Sequence, residues 1–194
     1  MRTLDCRGQR CPQPVVQTRQ LILTLPRQSL KVLVDDQVSC DNVTRLASRY
    51  GYQVEVIEQD ELFQLNLTPG EPSQQDVGET PFDGPTIILV GSDQMGSGDA
   101  KLGQILLKNF IFTLTEGDAV PDAIYFVNGG VKLAVGGSDI LEPLEKLACL
   151  GVDIASCGLC LEFFGLKDSL AVGRISNMLE LVNSLHTAGR IIRP

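Results

Sequence analysis

Residues 69–85 read Pro-Gly-Glu-Pro-Ser-Gln-Gln-Asp-Val-Gly-Glu-Thr-Pro-Phe-Asp-Gly-Pro, with four prolines, three glycines and almost no apolar side chains. Such a stretch cannot continue a helix or a strand ladder, and it offers too little apolar surface to be buried. It reads as a linker that divides the 194-residue chain into two segments, 1–68 and 86–194. Each must then bury a core of its own. Neither is short of material, since hydrophobic residues make up 43% of the chain and charged residues 21%. Aromatics are only 5% and Trp is absent, so both cores must be aliphatic.

The first segment alternates strand and helix. Residues 2–6 are short and extended. A helix starting at Pro12 carries Val15, Thr18, Ile22 and Leu25 on one face and stops at Pro26. A strand over 31–35 follows, then a helix with Val43, Leu46, Ala47 and Tyr50 at helical spacing, closed by Gly51. Residues 54–58 alternate strictly, and 62–67 pair with them through a hairpin around Gln59-Asp60. The expected fold is a β-α-β-α-β-β two-layer sandwich, two helices on one face of four strands.

The second segment reads as a three-layer α/β domain with a mostly parallel sheet. Thr86–Val90 is a continuous apolar strand of the kind buried on both faces. A helix from about Asp99 to Thr115 is apolar around much of its girth (Leu102, Ile105, Leu106, Phe110, Ile111, Leu114), a width that suggests cover on two sides, as by another subunit. Strands are expected at 123–127 and 152–155, a helix near 143–150, a last helix capped by Ser176, and a final strand at 190–192.

The formal net charge of −8 argues against a nucleic-acid partner and against an anionic membrane surface. No apolar run approaches a membrane span, and residues 1–20 lack the apolar region of a signal peptide. The expected location is cytoplasmic, where thiols stay reduced and six cysteines point to catalysis or metal rather than to disulfides. Against the acidic whole, Arg2, Arg7, Arg10 and Arg19 face only Asp5 within the first twenty residues.

That basic island surrounds Cys11, in the run Arg10-Cys11-Pro12-Gln13-Pro14. Pro12 and Pro14 fix the start of the helix and set Cys11 beside its cap. There the dipole and free first-turn N–H groups, with Arg7 and Arg10, would favour the thiolate, which is the nucleophile. On the residues alone a second fate stays open, a buried cysteine acting as a small hydrophobe. Cys6, in the same loop, can be read as a resolving thiol or as a strand-end structural residue. Cys40 reads as structural.

The run Leu4-Asp5-Cys6-Arg7-Gly8-Gln9-Arg10-Cys11-Pro12-Gln13-Pro14 closely resembles the N-terminal signature of TusA/SirA-like sulfur carriers. The resemblance covers residues 1–68. It implies the two-layer sandwich expected above and a Cys-Pro-x-Pro cysteine, here Cys11, that carries a persulfide. Gln9 departs from the apolar residue common before Arg10.

In the second segment three stretches leave the carboxyl ends of strands, where parallel sheets gather their ligands. They are 91–98, Asn128-Gly129-Gly130 and Ser156-Cys157-Gly158-Leu159-Cys160. The glycine-rich Gly96-Ser97-Gly98 lacks the spacing of a P-loop or a dinucleotide fingerprint, so nucleotide binding is not expected. Cys157-x-x-Cys160 reads as a thioredoxin-like dithiol or as two packed turn cysteines. Zinc is disfavoured, because Cys149 and His186 are the only further ligands in this segment and their spacing matches no finger. No cofactor and no metal are expected.

Residues 86–194 resemble the DsrE-like sulfur-relay family, whose cysteine stands eight residues before a glycine, as Cys157 stands before Gly165. Phe164 replaces the arginine that many members carry before that glycine. A TusA-like domain followed by a DsrE-like one is similar to the YedF family of selenium-metabolism proteins. The resemblance implies that Cys11 accepts sulfur or selenium from a donor such as a cysteine desulfurase. The cargo would pass to Cys157 as the linker lets one domain reach the other, and then to a downstream acceptor. DsrE-like folds usually assemble, so a homo-oligomer through the second domain is expected. The rival expectation is a redox-regulated interaction module built on the Cys157/Cys160 dithiol.

Overall fold

The computed structural model describes residues 2–10, 12–59, 62–70 and 84–194. It divides into two compact units, Met1–Gly78 and Glu79–Pro194. Both are α/β. Among the described residues no helix is long and apolar enough to cross a membrane.

The first unit runs β1 (Arg2–Asp5), α1 (Gln13–Thr24), β2 (Leu30–Val34), α2 (Gln37–Arg49), β3 (Tyr52–Gln59) and β4 (Leu62–Pro69). The strands form a mixed sheet in the order β1-β2-β4-β3, with β1 parallel to β2 and the other pairs antiparallel. Alternation decides which face is covered. Leu30, Val32 and Val34 of β2 and Phe63, Leu65 and Leu67 of β4 turn inward onto Ile22, Val43 and Ala47 of the helices. Asp36 starts α2, its carboxylate accepting from Ser39 N at 2.8 Å. Gly51 ends it with φ +76°, a left-handed conformation that favours glycine. The hairpin lengthens β4 to Pro69, which pairs with Tyr52, and Gly70 N donates to Gly51 O at 2.9 Å. The first two residues of the expected linker therefore belong to this unit.

The second unit runs β5 (Thr86–Val90), α3 (Ala100–Leu114), β6 (Ala123–Phe126), a 3-10 turn (Asn128–Ala134), α4 (Leu141–Cys149), β7 (Asp153–Cys157), α5 (Gly158–Phe163), a second 3-10 turn (Lys167–Ser169), β8 (Arg174–Ser176), α6 (Met178–Thr187) and β9 (Arg190–Ile192). Its five-stranded sheet is parallel throughout, in the order β8-β7-β6-β5-β9. Strands β5 to β8 are laid down in one direction, and β9 returns to the far side of β5. Right-handed crossovers put the return on the opposite face from the forward steps. Accordingly α3, α4 and α5 share one face, packing Leu107, Ile111, Leu144, Leu147 and Leu161 on Ile88, Val90, Ile124, Phe126 and Ile154. On the other face α6 packs Leu181 and Leu185 against Ile87, Tyr125 and Ala155.

Two sequence expectations change here. The strand expected at 152–155 reaches Cys157, because β8 supplies Cys157 with a ladder partner in Ser176. Ser176 is thereby a strand residue and not the cap of the last helix. Asn177 caps α6, its side chain accepting from Glu180 N at 3.0 Å. Arg174 fastens this corner, bonding both Asp153 carboxylate oxygens (2.9 and 2.7 Å) and the Glu180 carboxylate.

Candidate functional site

In the first unit, the segment after β1 carries the residues singled out from sequence. Cys11 lies outside the described residues. Its surroundings are described on both sides. Arg7 is committed to Asp5, with Nε–Oδ1 2.8 Å and Nη2–Oδ2 2.5 Å, and this holds the Asp5 carboxyl down to about 2. Gly8, at φ +73°, donates its N–H to Asp35 Oδ2 at 2.6 Å. Arg10 is exposed.

Cys6 is fully buried, its N–H on Leu33 O (2.9 Å) and its thiol on Gln17 Oε1 (3.6 Å). Burial, and then the nearby Asp5 charge, push this thiol up to about 11. It is therefore a neutral core group, the structural member of its two sequence readings. Cys40 is likewise buried and raised, chiefly by desolvation.

The start of α1 corrects a further expectation. Pro12 precedes the helix as its cap residue and Pro14 is its second residue, so neither is the first helical position. Prolines have no N–H, and the remaining donors are spent. Gln13 N donates to Arg10 O (3.0 Å), while Val15 N and Val16 N both reach Pro12 O (3.1 Å). The free first-turn N–H groups expected there are absent from residues 12–16, which leaves the helix dipole as the backbone's contribution. A cleft of about 340 Å³ lies beside Arg7, walled by Leu33, Ile57, Leu62 and Phe63.

In the second unit the topology brings the three expected loops to one edge. Gly130 closes against β5: a Cβ there would stand 2.3 Å from Val90 O. A Cβ at Gly129 would meet Ser92 and Asp93 only at ordinary contact distance. Asn128 adopts φ +49°, a conformation that Asn tolerates better than most residues, and this turns its N–H onto Cys160 Sγ at 3.1 Å. Cys157 ends β7 and caps α5, and Cys160 is the third residue of that helix. Both thiols are free. Cys157 is only 8% exposed, whereas Cys160 is half-buried. Desolvation raises the Cys160 thiol, the Asn128 N–H opposes that rise, and the neighbouring Cys157 thiol adds to it. Ser156, fully buried beside them, has no partner for its hydroxyl.

The spacing of Cys157 to Gly165 has a backbone cause. Gly165 N donates to Glu162 O (3.0 Å) and Leu166 N to Leu161 O (2.8 Å), a Schellman closure of α5 that needs φ +66° at Gly165. Phe164 meets Lys132, whose ammonium lies 4.9 Å from the ring centroid. Sequence reasoning missed Lys132, Met178 and Leu181, the last two of which line a small cavity beside Cys157. Met178 is twenty-one residues from Cys157, and only the return crossover brings them together. Among the described residues no group of three or more His, Cys, Asp or Glu side chains is placed to hold a metal ion.

Residues 2–67 match the family described as "Sulfurtransferase TusA". Among solved structures, a SirA-like protein from Desulfitobacterium hafniense is 34% identical, the match covering 37% of this chain and 100% of that one, with a TM-score of 0.35. The ychN protein of E. coli is 16% identical (57% and 99% covered, TM-score 0.46). A protein of unknown function from Methanobacterium thermoautotrophicum is 19% identical (56% and 97% covered, TM-score 0.43). No curated protein matches the chain. Residues 2–67 thus form a domain that matches the TusA family of sulfurtransferases.

Proposed function

We propose that the protein is a chalcogen carrier that takes sulfur, or its neighbour selenium, as a persulfide-type group on Cys11 and hands it to Cys157. The single observation that carries this reading is the TusA match, whose span contains Cys11-Pro12-Gln13-Pro14. A cysteine desulfurase is the class of donor. Transfer is isoelectronic: the Cys157 thiolate attacks the outer sulfur of the Cys11 persulfide, one S–S bond forms as the other breaks, and Cys11 leaves as thiolate. Proximity and thiolate fraction supply most of the rate, so no general base is required.

The DsrE-like character of the second unit and the YedF-type domain order belong to the same proposal. Convergence of three loops on two free thiols at one sheet edge supports them. Self-assembly through α3, where Leu102, Ile105 and Leu106 are each at least 42% exposed, is part of the same proposal. The downstream acceptor would collect cargo at the Cys157 edge.

Peptide-resolved mass spectrometry after incubation with a desulfurase and cysteine, or with the same class of enzyme and selenocysteine, tests the carrier. The expected result is one added sulfur or selenium on the Cys11 peptide, absent in Cys11→Ala. An unmodified Cys11 peptide alongside a Cys157–Cys160 disulfide would overturn it in favour of a redox module, the reading that the closeness of these thiols favours.

A further inference from the structure

We propose that Cys160 discharges the cargo of Cys157, closing a Cys157–Cys160 disulfide and expelling the transferred atom as hydrosulfide or hydroselenide. The inference rests on the carrier reading and deepens it, since it assigns the second unit a reductive release step.

Geometry on the two sides of Cys157 carries the argument. Displacement at a sulfur runs in line, so the attacking and departing atoms need space on opposite sides. Cys160 stands on one side. It packs against the core cluster that faces α3 and α4, and the Asn128 N–H fixes its Sγ at 3.1 Å. On the other side lies the small cavity, bounded by Tyr125, Val127, Met178 and Leu181, on the face that α6 covers. It leaves about 10 Å³ for the centre of a water-sized atom, which is close to one such atom.

Water would be a poor occupant, because it needs two to four polar partners. The cavity wall is apolar, and the nearby polar groups are engaged elsewhere. The Ser176 hydroxyl bonds Glu180 Oε2 at 2.9 Å, and the Asn177 side chain caps α6. One soft, weakly hydrated chalcogen atom bonded to Cys157 Sγ suits such a space. The cavity holds the outer atom of a persulfide and shields it from solvent.

The step balances as follows. The Cys160 thiol loses its proton to solvent, and its sulfur attacks Cys157 Sγ. The Cys157–chalcogen bond breaks, and its electron pair departs on the hydrosulfide or hydroselenide. Cys160 sulfur is oxidised by one level, the outer atom is reduced by one level, and Cys157 sulfur is unchanged. An external dithiol reductant then returns both cysteines to thiols. Asn128 acts as a positioning residue through its backbone, since its N–H stabilises negative charge on the attacking sulfur.

The test uses the full-length Cys11→Ala chain, so that sulfur enters without the first domain. Fully reduced protein is mixed with glutathione persulfide, and both free sulfide and the 157–160 peptide are followed through one turnover. One sulfide per chain is expected, appearing together with loss of two hydrogens from that peptide. In the Cys11→Ala, Cys160→Ser double variant, sulfide release above that of a Cys157→Ser control is lost, and Cys157 retains one added sulfur. Release from the Cys160→Ser variant at the parent rate, or a Cys157 that never gains sulfur in it, overturns the proposal. Neither result bears on Cys11 loading by a desulfurase, which the carrier experiment reads separately.

Discussion

Gly129 and Gly130 stand side by side in the turn that aims Asn128 at Cys160, yet alanine should act oppositely at the two. At Gly130 the new Cβ would lie 2.3 Å from Val90 O and 3.0 Å from Val90 C. Ordinary contact begins near 3.4 Å, so about 1.1 Å must be found (3.4 − 2.3). The obstacle is main chain in β5 whose carbonyl already accepts from Val127 N at 2.9 Å, so no flexible side chain can yield. Overpacking costs about 1–3 kcal/mol, and loosening that hydrogen bond about 0.5–1.5 kcal/mol more. A loss of roughly 2–4 kcal/mol is expected. At Gly129 the nearest atom would be Ser92 Cα at 3.8 Å, with no left-handed φ. There alanine restricts the unfolded chain and should be neutral to stabilising by about 0.4–1 kcal/mol. Urea-dependent hydrogen exchange, read by mass spectrometry, assigns each transition to its own unit. With a slope of about 1–3 kcal/mol/M, Gly130→Ala should lower the second unit's midpoint by about 0.7 M or more and leave peptides of the first unit unmoved. Equal effects of the two substitutions, or the reverse order, would refute the packing argument.

Cys6 should resist iodoacetamide at pH 8 in the native protein, because its thiol is buried and pushed up to about 11, whereas exposed Cys149 alkylates freely. Equal labelling rates by peptide mapping would show that the core assignment of Cys6 is wrong. Asp36→Ala removes the cap of α2 and should cost about 1 kcal/mol at neutral pH, read by urea unfolding of the first unit. Hydrogen bonds from Ser39 hold the Asp36 carboxyl below its usual value. Its contribution is therefore complete above the unfolded carboxylate pKa of about 3.9 and fades as pH falls through the lower folded value. The gap between parent and variant should narrow in acid, and a gap that widens there would contradict the cap's role.

Much of the architecture was written in periodicity. The alternation of β3 and β4, the apolar run of β5, the cap Asp99 of α3 and the closing Gly51 all operate within a few residues, where local rules hold. What escaped was set by distant partners. β8 is only three residues, Arg174-Ile175-Ser176, too short for a pattern, and it exists because β7 offers a ladder and Arg174 a carboxylate. That hidden strand moved the α6 cap from Ser176 to Asn177. The candidate site divides the same way. Meeting of the loops after β5, β6 and β7 follows from a parallel sheet, but the Asn128 contact with Cys160 depends on one left-handed residue. At α1 the two prolines already announced missing donors. The capture of Val15 and Val16 N–H by Pro12 O became visible only in three dimensions.

The five described cysteines show what separates a thiol with chemistry from one that merely fills space. Desolvation acts on Cys6, Cys40 and Cys160 alike and raises all three. Burial therefore cannot be the discriminator. Cys6 turns toward a side-chain carbonyl, Gln17 Oε1, an acceptor that stabilises the protonated thiol and penalises the thiolate. Cys160 receives a backbone N–H, a donor that does the reverse. The donor comes from a loop held by Gly130 against β5, so its direction is set by main chain and survives changes of side chain around it. Cys149 has exposure without such an arrangement, and Cys157 has the neighbour thiol and the cavity. On the proposed release step, reactivity would follow hydrogen-bond polarity at sulfur. That criterion selects Cys160 although its thiol is raised, because the same N–H that opposes the rise in the resting protein would stabilise charge on the attacking sulfur.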